Sequence, residues 1–360
     1  MVALTVVRSR TTGKLTDLTG PGITDRWGVT CADLGASVQA PNGTLVSVFG
    51  DTFSGAKVGA GEWRSPVILI GAGDATHAIS YHRAGGDDPD YARQLWHYEH
   101  RDSGATRRGI STVIPSDLLR VDRALYLHAI VNRGFGNVVW TEIWRSDDSG
   151  ISWRHLGDRA KFAGRLHRGH AQCWSWDYDP DDGWVYLVST GFQRDKGIIL
   201  RRVRPRGIGD ARQYWGWGVA NGRWAWGRTP TPITPVGETW GELSLRRLGA
   251  GRWILGGFLS SHYALGYRVI ESPTALSDTP VQLPIVGTGW DAEDHTDNRV
   301  AQLYGGYVLP GSRLEVAGGV GLAVSQWNTA HGWPYRVMQF RATLRDTTIS
   351  GRSAADRVSL

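Results

Sequence analysis

Sulfur is scarce in this chain: its 360 residues include two cysteines, Cys31 and Cys173, and two methionines. Two cysteines cannot staple a chain of this size, so a disulfide scaffold is excluded. No Cys or His group has zinc-ribbon spacing, and His128, His167, His170, His262, His295 and His331 share no metal-like spacing on one element. No apolar stretch approaches the roughly 20 residues of a membrane-spanning helix, so no membrane insertion is expected. Met1-Val2-Ala3-Leu4-Thr5-Val6-Val7-Arg8 is not a basic region followed by a long apolar run, so no secretory leader is read there. Export, if any, would then use another route, such as phage lysis or virion assembly, or would follow trimming of a leader. Phosphate-binding loops, dinucleotide fingerprints and finger spacings are missing. So are G-x-S-x-G and any convincing Ser/His/Asp set. The net charge of +6 is scattered. Its densest runs, Arg201-Arg202-Val203-Arg204-Pro205-Arg206 and Arg246-Arg247, are short and read as a solvated basic face, not a nucleic-acid site.

Glycine and tryptophan are abundant, at 48 and 18 residues. With few long helical periodicities, they indicate an all-β protein. One unit recurs: a short strand, a turn, an apolar strand, and one or two strands more. In the first copy Cys31-Ala32-Asp33-Leu34-Gly35-Ala36-Ser37-Val38 leads through Pro41-Asn42-Gly43 into Leu45-Val46-Ser47-Val48-Phe49-Gly50-Asp51. The second-strand anchors Leu45, Leu125, Val185, Ile254 and Leu322 are spaced by 80, 60, 69 and 68 residues. Five units of that size account for nearly the whole chain, as one domain over residues 1–345 and a tail over 346–360. A unit of that size is too large for an ordinary solenoid repeat and matches a blade of a five-bladed β-propeller. Ser146-Asp147-Asp148-Ser149-Gly150-Ile151-Ser152-Trp153 has the Asp-box pattern S-x-D-x-G-x-S/T-W, a tight turn between outer strands of propeller blades. Its aspartates are read as structural.

In a propeller the first strand of each blade lines the central channel. Those strands carry Asp33, Asp117, Gln172, Glu242 and Gln302. Acids facing one another in a funnel raise each other's pKa, which hydrolytic acid–base chemistry uses. The sharpest pair is Asp33 and Asp51, flanking the turn at Pro41-Asn42-Gly43. A loop symmetric about Asn42 pairs residues whose numbers add up to 84, which sets Asp33 opposite Asp51. A two-residue Asn42-Gly43 turn shifts that sum to 85 and places Asp51 on the other face, unless a bulge or strand end at Gly50 restores the pairing. Close carboxylates, roughly 5 Å apart, are what double-displacement glycoside hydrolysis requires.

Trp63, Trp96, Trp174, Trp176, Trp240, Trp327 and Tyr335 fall on inner strands or rim loops. Flat rings stack on apolar sugar faces while Arg, Asn and His read hydroxyls, so the set favours a carbohydrate cleft over core packing alone. The expected substrate-binding residues are Arg64, Asp117, Trp174, Trp176, Glu242, Trp327 and Asn328. No cofactor or metal is expected.

Val48-Phe49-Gly50-Asp51-Thr52-Phe53 with Ala32-Asp33-Leu34-Gly35 resembles the signature of the endo-D-arabinofuranosidases of actinobacteria and their phages, glycoside hydrolase family 183. Tyr186-Leu187-Val188-Ser189-Thr190-Gly191-Phe192, Trp240-Gly241-Glu242-Leu243-Ser244 and Val324-Ser325-Gln326-Trp327-Asn328 extend the resemblance over roughly residues 16–345. It implies a five-bladed propeller that cuts internal α-D-arabinofuranosyl linkages of mycobacterial arabinogalactan and lipoarabinomannan. It also implies paired aspartates, Asp33 as acid/base and Asp51 as nucleophile. Two alternatives stay open: a non-catalytic glycan-binding propeller such as a phage adhesin, and an L-arabinanase or sialidase-like glycosidase. An L-arabinanase would use inner-strand acids on three blades, the places of Asp33, Asp117 and Glu242.

Overall fold

A computed structural model describes residues 7–8, 13–57, 59–100, 109–134, 136–249, 251–275, 279–327 and 335–346. Five mainly antiparallel sheets follow one another along the chain as the five blades of a β-propeller. The inner strands are Cys31–Gln39, Thr112–Val121, Cys173–Asp179, Trp240–Gly249 and Leu303–Val308. All five anchors read from the spacing lie in the second strands, Leu45–Phe53, Ala124–Asn132, Trp184–Thr190, Arg252–Leu259 and Val320–Trp327.

Each second strand is a nearly unbroken apolar run because both its faces are covered by neighbouring blades. Val46, Val48 and Phe49 of blade 1 pack with Leu118, Leu125 and Leu127 of blade 2 in one core cluster. Serines of the first and second strands stitch neighbouring blades together. Ser116 exchanges hydrogen bonds with the Trp174 backbone, Ser244 accepts from Val308 N, and Ser325 on the adjoining second strand donates to Leu34 O. A short hydroxyl satisfies a buried backbone group without widening the channel.

The ring closes by non-local pairing. Gly13–Asp17 supplies the outer strand of blade 5, antiparallel to Tyr335–Ala342. Val7–Arg8 adds a parallel strand to the edge of blade 4. Ion pairs from Asp17 to Arg336 and Lys14 pin the closing strand.

Local turn chemistry agrees with the sequence. At Pro41–Gly43, Gly43 adopts a φ of 87°, and the Asn42 side chain accepts from Thr44 N at 3.1 Å. In the Asp box, Asp148 accepts from Ser152 N at 2.9 Å and from the Ser146 hydroxyl at 2.8 Å. Gly150 there has a φ of 90°, and Trp153 packs on the core shared by blades 1 and 2.

Candidate active site

The first hairpin creates the site. Its strands pair on the sum of 84 from Ala36↔Val48 to Gln39↔Leu45, and again at Ala32↔Thr52 and Cys31↔Phe53. Between these runs the ladder bulges around Leu34, which pairs with Phe49 at a φ of 68°. Asp33 therefore lies across from Gly50 and Asp51, and both carboxyl groups line one cavity of about 510 Å³ at the mouth of the channel. Gly50 permits the approach: a Cβ there would lie 2.3 Å from Asp33 Oδ1.

The two carboxyls sit in different surroundings. Asp33 is buried; burial first, and the neighbouring Asp51 charge second, push its pKa well above the ordinary carboxylate range. The Tyr304 hydroxyl donates to Asp33 Oδ2 at 3.0 Å and draws it part of the way back. Burial raises Asp51 to about 6, opposed by hydrogen bonds from Trp63 and Thr112. Trp63 Nε1 donates to Asp51 Oδ1 at 2.8 Å, and Thr112 lies 3.4 Å from the same oxygen. Two adjacent carboxyls whose pKa values are both raised titrate as a unit, and one proton can be shared between them.

All five blades build the cavity wall. Blade 2 contributes Ile114, blade 3 Phe192 and Arg194, blade 4 Glu242 and Tyr263, and blade 5 Tyr304, Trp327 and Tyr335. Glu242 is clamped by Arg194 through one guanidinium edge: Nη2 donates to Oε1 at 2.5 Å and Nε to Oε2 at 3.1 Å. Leu34, Arg194, Tyr263 and Gln302 line the cavity with φ values of 68°, 59°, 49° and 50°. Left-handed backbone is costly for side chains of this size, and strained backbone of this kind is often found at functional sites.

Of the binding residues expected from sequence, Glu242 and Trp327 line the cavity, with Trp327 40% exposed. Asn328 lies outside the described residues, as does His331. Four others are corrected by the structure. Asp117 is the sixth residue of its inner strand, whereas Asp33 and Glu242 are each the third of theirs. At about 3.3 Å per residue it lies deeper along the channel. There Arg246 holds both its oxygens, at 2.6 and 2.8 Å, and Ser175 donates to it. The pair staples blades 2 and 4 and keeps Asp117 out of the cavity. Trp174 and Trp176 are fully buried, because their strand faces the seam with blade 2. Trp174 stacks on His128 at 3.9 Å. Arg64 is buried too, its guanidinium spent on the carbonyls of Gly28 and Ala92. Among the other rings named, Tyr335 lines the cavity and Trp63 touches Asp51. Trp96 stacks on Trp144, and Trp240 is buried beside Glu238.

Tyr304, Arg194, Tyr263 and Phe192 line the cavity without being among the residues expected there from sequence. Tyr304 was legible in principle, as a polar aromatic on an inner strand. Arg194 and Phe192 sit on a loop whose path only the assembled ring defines. Among the described residues no three His, Cys, Asp or Glu side chains cluster as metal ligands.

Residues 19–341 match the family described as Domain of unknown function (DUF4185), and the chain belongs to that family. It is 29% identical over 333 residues to the "Uncharacterized 35.9 kDa protein in asd 3'region" of Mycolicibacterium smegmatis, covering 88% of this chain and 93% of that one. It is also 29% identical over 340 residues to the "Notoamide biosynthesis cluster protein J'" of Aspergillus versicolor, covering 89% and 88%. Among solved structures, a putative hydrolase from Bacteroides ovatus superposes with a TM-score of 0.59 at 12% identity, over 94% of this chain and 90% of the other. A GH43_1 enzyme from Xanthomonas citri complexed with xylotriose gives 0.53 at 13%, over 92% and 91%. At these identities the likeness is one of fold.

Proposed function

We propose that this protein is a retaining, endo-acting glycoside hydrolase of D-arabinan, with arabinogalactan and lipoarabinomannan as its polymers. The observation that carries the reading is the Asp33/Asp51 pair: two carboxyls from one hairpin, both pushed up by burial, in one cavity rimmed by aromatic rings. Asp33, the more strongly protonated, gives its proton to the glycosidic oxygen as the bond from C1 to that oxygen breaks. Asp51 attacks C1 and forms a glycosyl ester. Asp33, now ionised, takes a proton from water, whose oxygen attacks C1 and releases Asp51. Tyr335 and Trp327 offer flat faces for furanose rings, and the Arg194–Glu242 pair offers a fixed donor and acceptor for hydroxyls.

Solved neighbours described as GH43_1 enzymes, one holding xylotriose, support a glycan as substrate. The D-arabinan choice is supported by the resemblance around Ala32–Gly35 and Val48–Phe53 and by a relative from a mycobacterium. The L-arabinanase alternative is weakened by the burial of Asp117 against Arg246, which leaves two of its three acids in the cavity.

Purified arabinogalactan, incubated with the protein and chromatographed, is expected to release internal oligosaccharides, while L-arabinan stays intact. Asp33→Asn should cut turnover about 10²–10⁴-fold. Asp51→Asn should cut it at least as far, with the fold retained by circular dichroism. Arabinan that is bound and left whole would leave the glycan-binding alternative standing; full turnover in either variant removes that aspartate from the mechanism.

A further inference from the structure

Each aspartate of the pair has a neutral donor of its own, contributed by a different part of the molecule. Tyr304, on the inner strand of blade 5, is partly buried and donates to Asp33 Oδ2 at 3.0 Å. Trp63, on a short strand against Leu45–Phe53, donates to Asp51 Oδ1 at 2.8 Å. Its indole is gripped in a stack of rings. Tyr335 lies on Phe53 at 6.2 Å, Phe53 on Trp63 at 5.9 Å, and Trp63 on His100 at 3.9 Å, with interplanar angles of 10°, 15° and 27°. The donors to Asp51 all reach Oδ1, so Oδ2 carries no protein hydrogen bond among the described residues.

We infer that Tyr304 and Trp63 are positioning residues that divide the labour of the pair, Tyr304 tuning the acid/base and Trp63 aiming the nucleophile. The inference rests on the double displacement proposed above. Asp33 has to cycle between its protonated and ionised forms within one turnover. The charged and titratable groups that face it are Asp51, Glu242 already clamped by Arg194, Tyr304, Tyr335, Tyr307 and Cys31. Its hydrogen bonds include none from a cation; the Tyr304 hydroxyl is its side-chain donor, and with the Asp51 backbone N–H it stabilises the ionised form. Asp51 faces Asp33, Trp63, Thr112, Tyr98 and Tyr335. It must stay ionised while presenting one oxygen to C1. An N–H fixed by ring stacking does both without placing a positive charge beside the developing oxocarbenium ion.

The probes are Tyr304→Phe and Trp63→Phe, each of which removes one donor and keeps a ring. A hydrogen bond donated to a carboxylate favours the ionised form, so its loss raises that pKa. Tyr304→Phe is expected to move the basic limb of the kcat/KM pH profile upward by roughly half to one unit and leave the acidic limb in place. Trp63→Phe should move the acidic limb upward by a similar amount and leave the basic limb. Thr112→Val, losing the longer contact to the same oxygen, should move the acidic limb less. Carboxyl carbon NMR titration of the same variants reads the pair's apparent pKa values directly, even where activity is too low for a profile. Limbs and titrations unchanged in both variants, or each variant moving the other limb, would overturn the inference. Parallel assays of Asp33→Asn and Asp51→Asn separate the two levels. If those variants are inactive while the donors move nothing, only this inference fails. If they stay active, the underlying mechanism fails.

Discussion

Asp33 and Asp51 are placed where carboxyl groups harm stability. Burial raises both pKa values, so the folded state keeps protons that the unfolded chain has lost. The sign follows: stability falls as pH rises from about 4, for Asp51 up to about 6, and Asp33 acts in the same direction. Asparagine removes that ionisation and can still accept from Tyr304 and Trp63. Both Asp→Asn variants should therefore melt higher than the parent at pH 7, with the gain shrinking to nothing near pH 4. Calorimetry across that range checks this; equal melting temperatures at pH 7 would show that the carboxyls are not strained in the fold. At this scale the sequence was legible where chemistry and spacing coincide, as in the Asp33/Asp51 pair. It was not legible for Trp174, Trp176 and Arg64, because a ring or guanidinium on a strand carries no sign of whether its face meets the channel or the next blade.

The element that matters most is the hairpin of Cys31–Gln39 and Leu45–Phe53. Its overall register follows from the loop at Pro41-Asn42-Gly43, since Gly43 takes the left-handed position that a three-residue turn needs. The bulge at Leu34 is another matter. It depends on packing against Phe49 and on the missing side chain of Gly50, and alternation alone does not encode it. Gly50→Ala tests this directly, because the new methyl group would meet Asp33 Oδ1 at 2.3 Å and Leu34 Cδ1 at 2.9 Å. We expect a fall in kcat of at least about 10²-fold, unchanged far-ultraviolet circular dichroism and a modestly lower melting temperature. A variant with parental kcat would show that the bulge does not set the carboxyl geometry. Asp117 teaches the same lesson along the strand axis. Three residues of displacement turn a channel acid from a cavity group into a structural ion pair with Arg246.

For the molecule as a whole, five-fold repetition was readable from the spacing of apolar second strands, and the Asp box marked an outer turn of blade 2. Ring closure was not readable. Gly13–Asp17 joins Tyr335–Ala342 from more than three hundred residues away, and short polar strands of that kind have little periodicity. Closure has a direct consequence for chemistry. It brings Tyr304 and Tyr335 of the last blade against the aspartates of the first, so the proposed catalytic pair and its supports are complete only in the assembled ring. The central claim concerns one atom of that ring, the attacking oxygen of Asp51. Reaction with an activated aryl α-D-arabinofuranosyl oligosaccharide, quenched during turnover and followed by peptide mass mapping, reads it most directly. The account predicts a glycosyl adduct on the peptide bearing Asp51, accumulating further in Asp33→Asn. An adduct on another residue, or turnover through neither a covalent intermediate nor retained anomeric configuration, would contradict it.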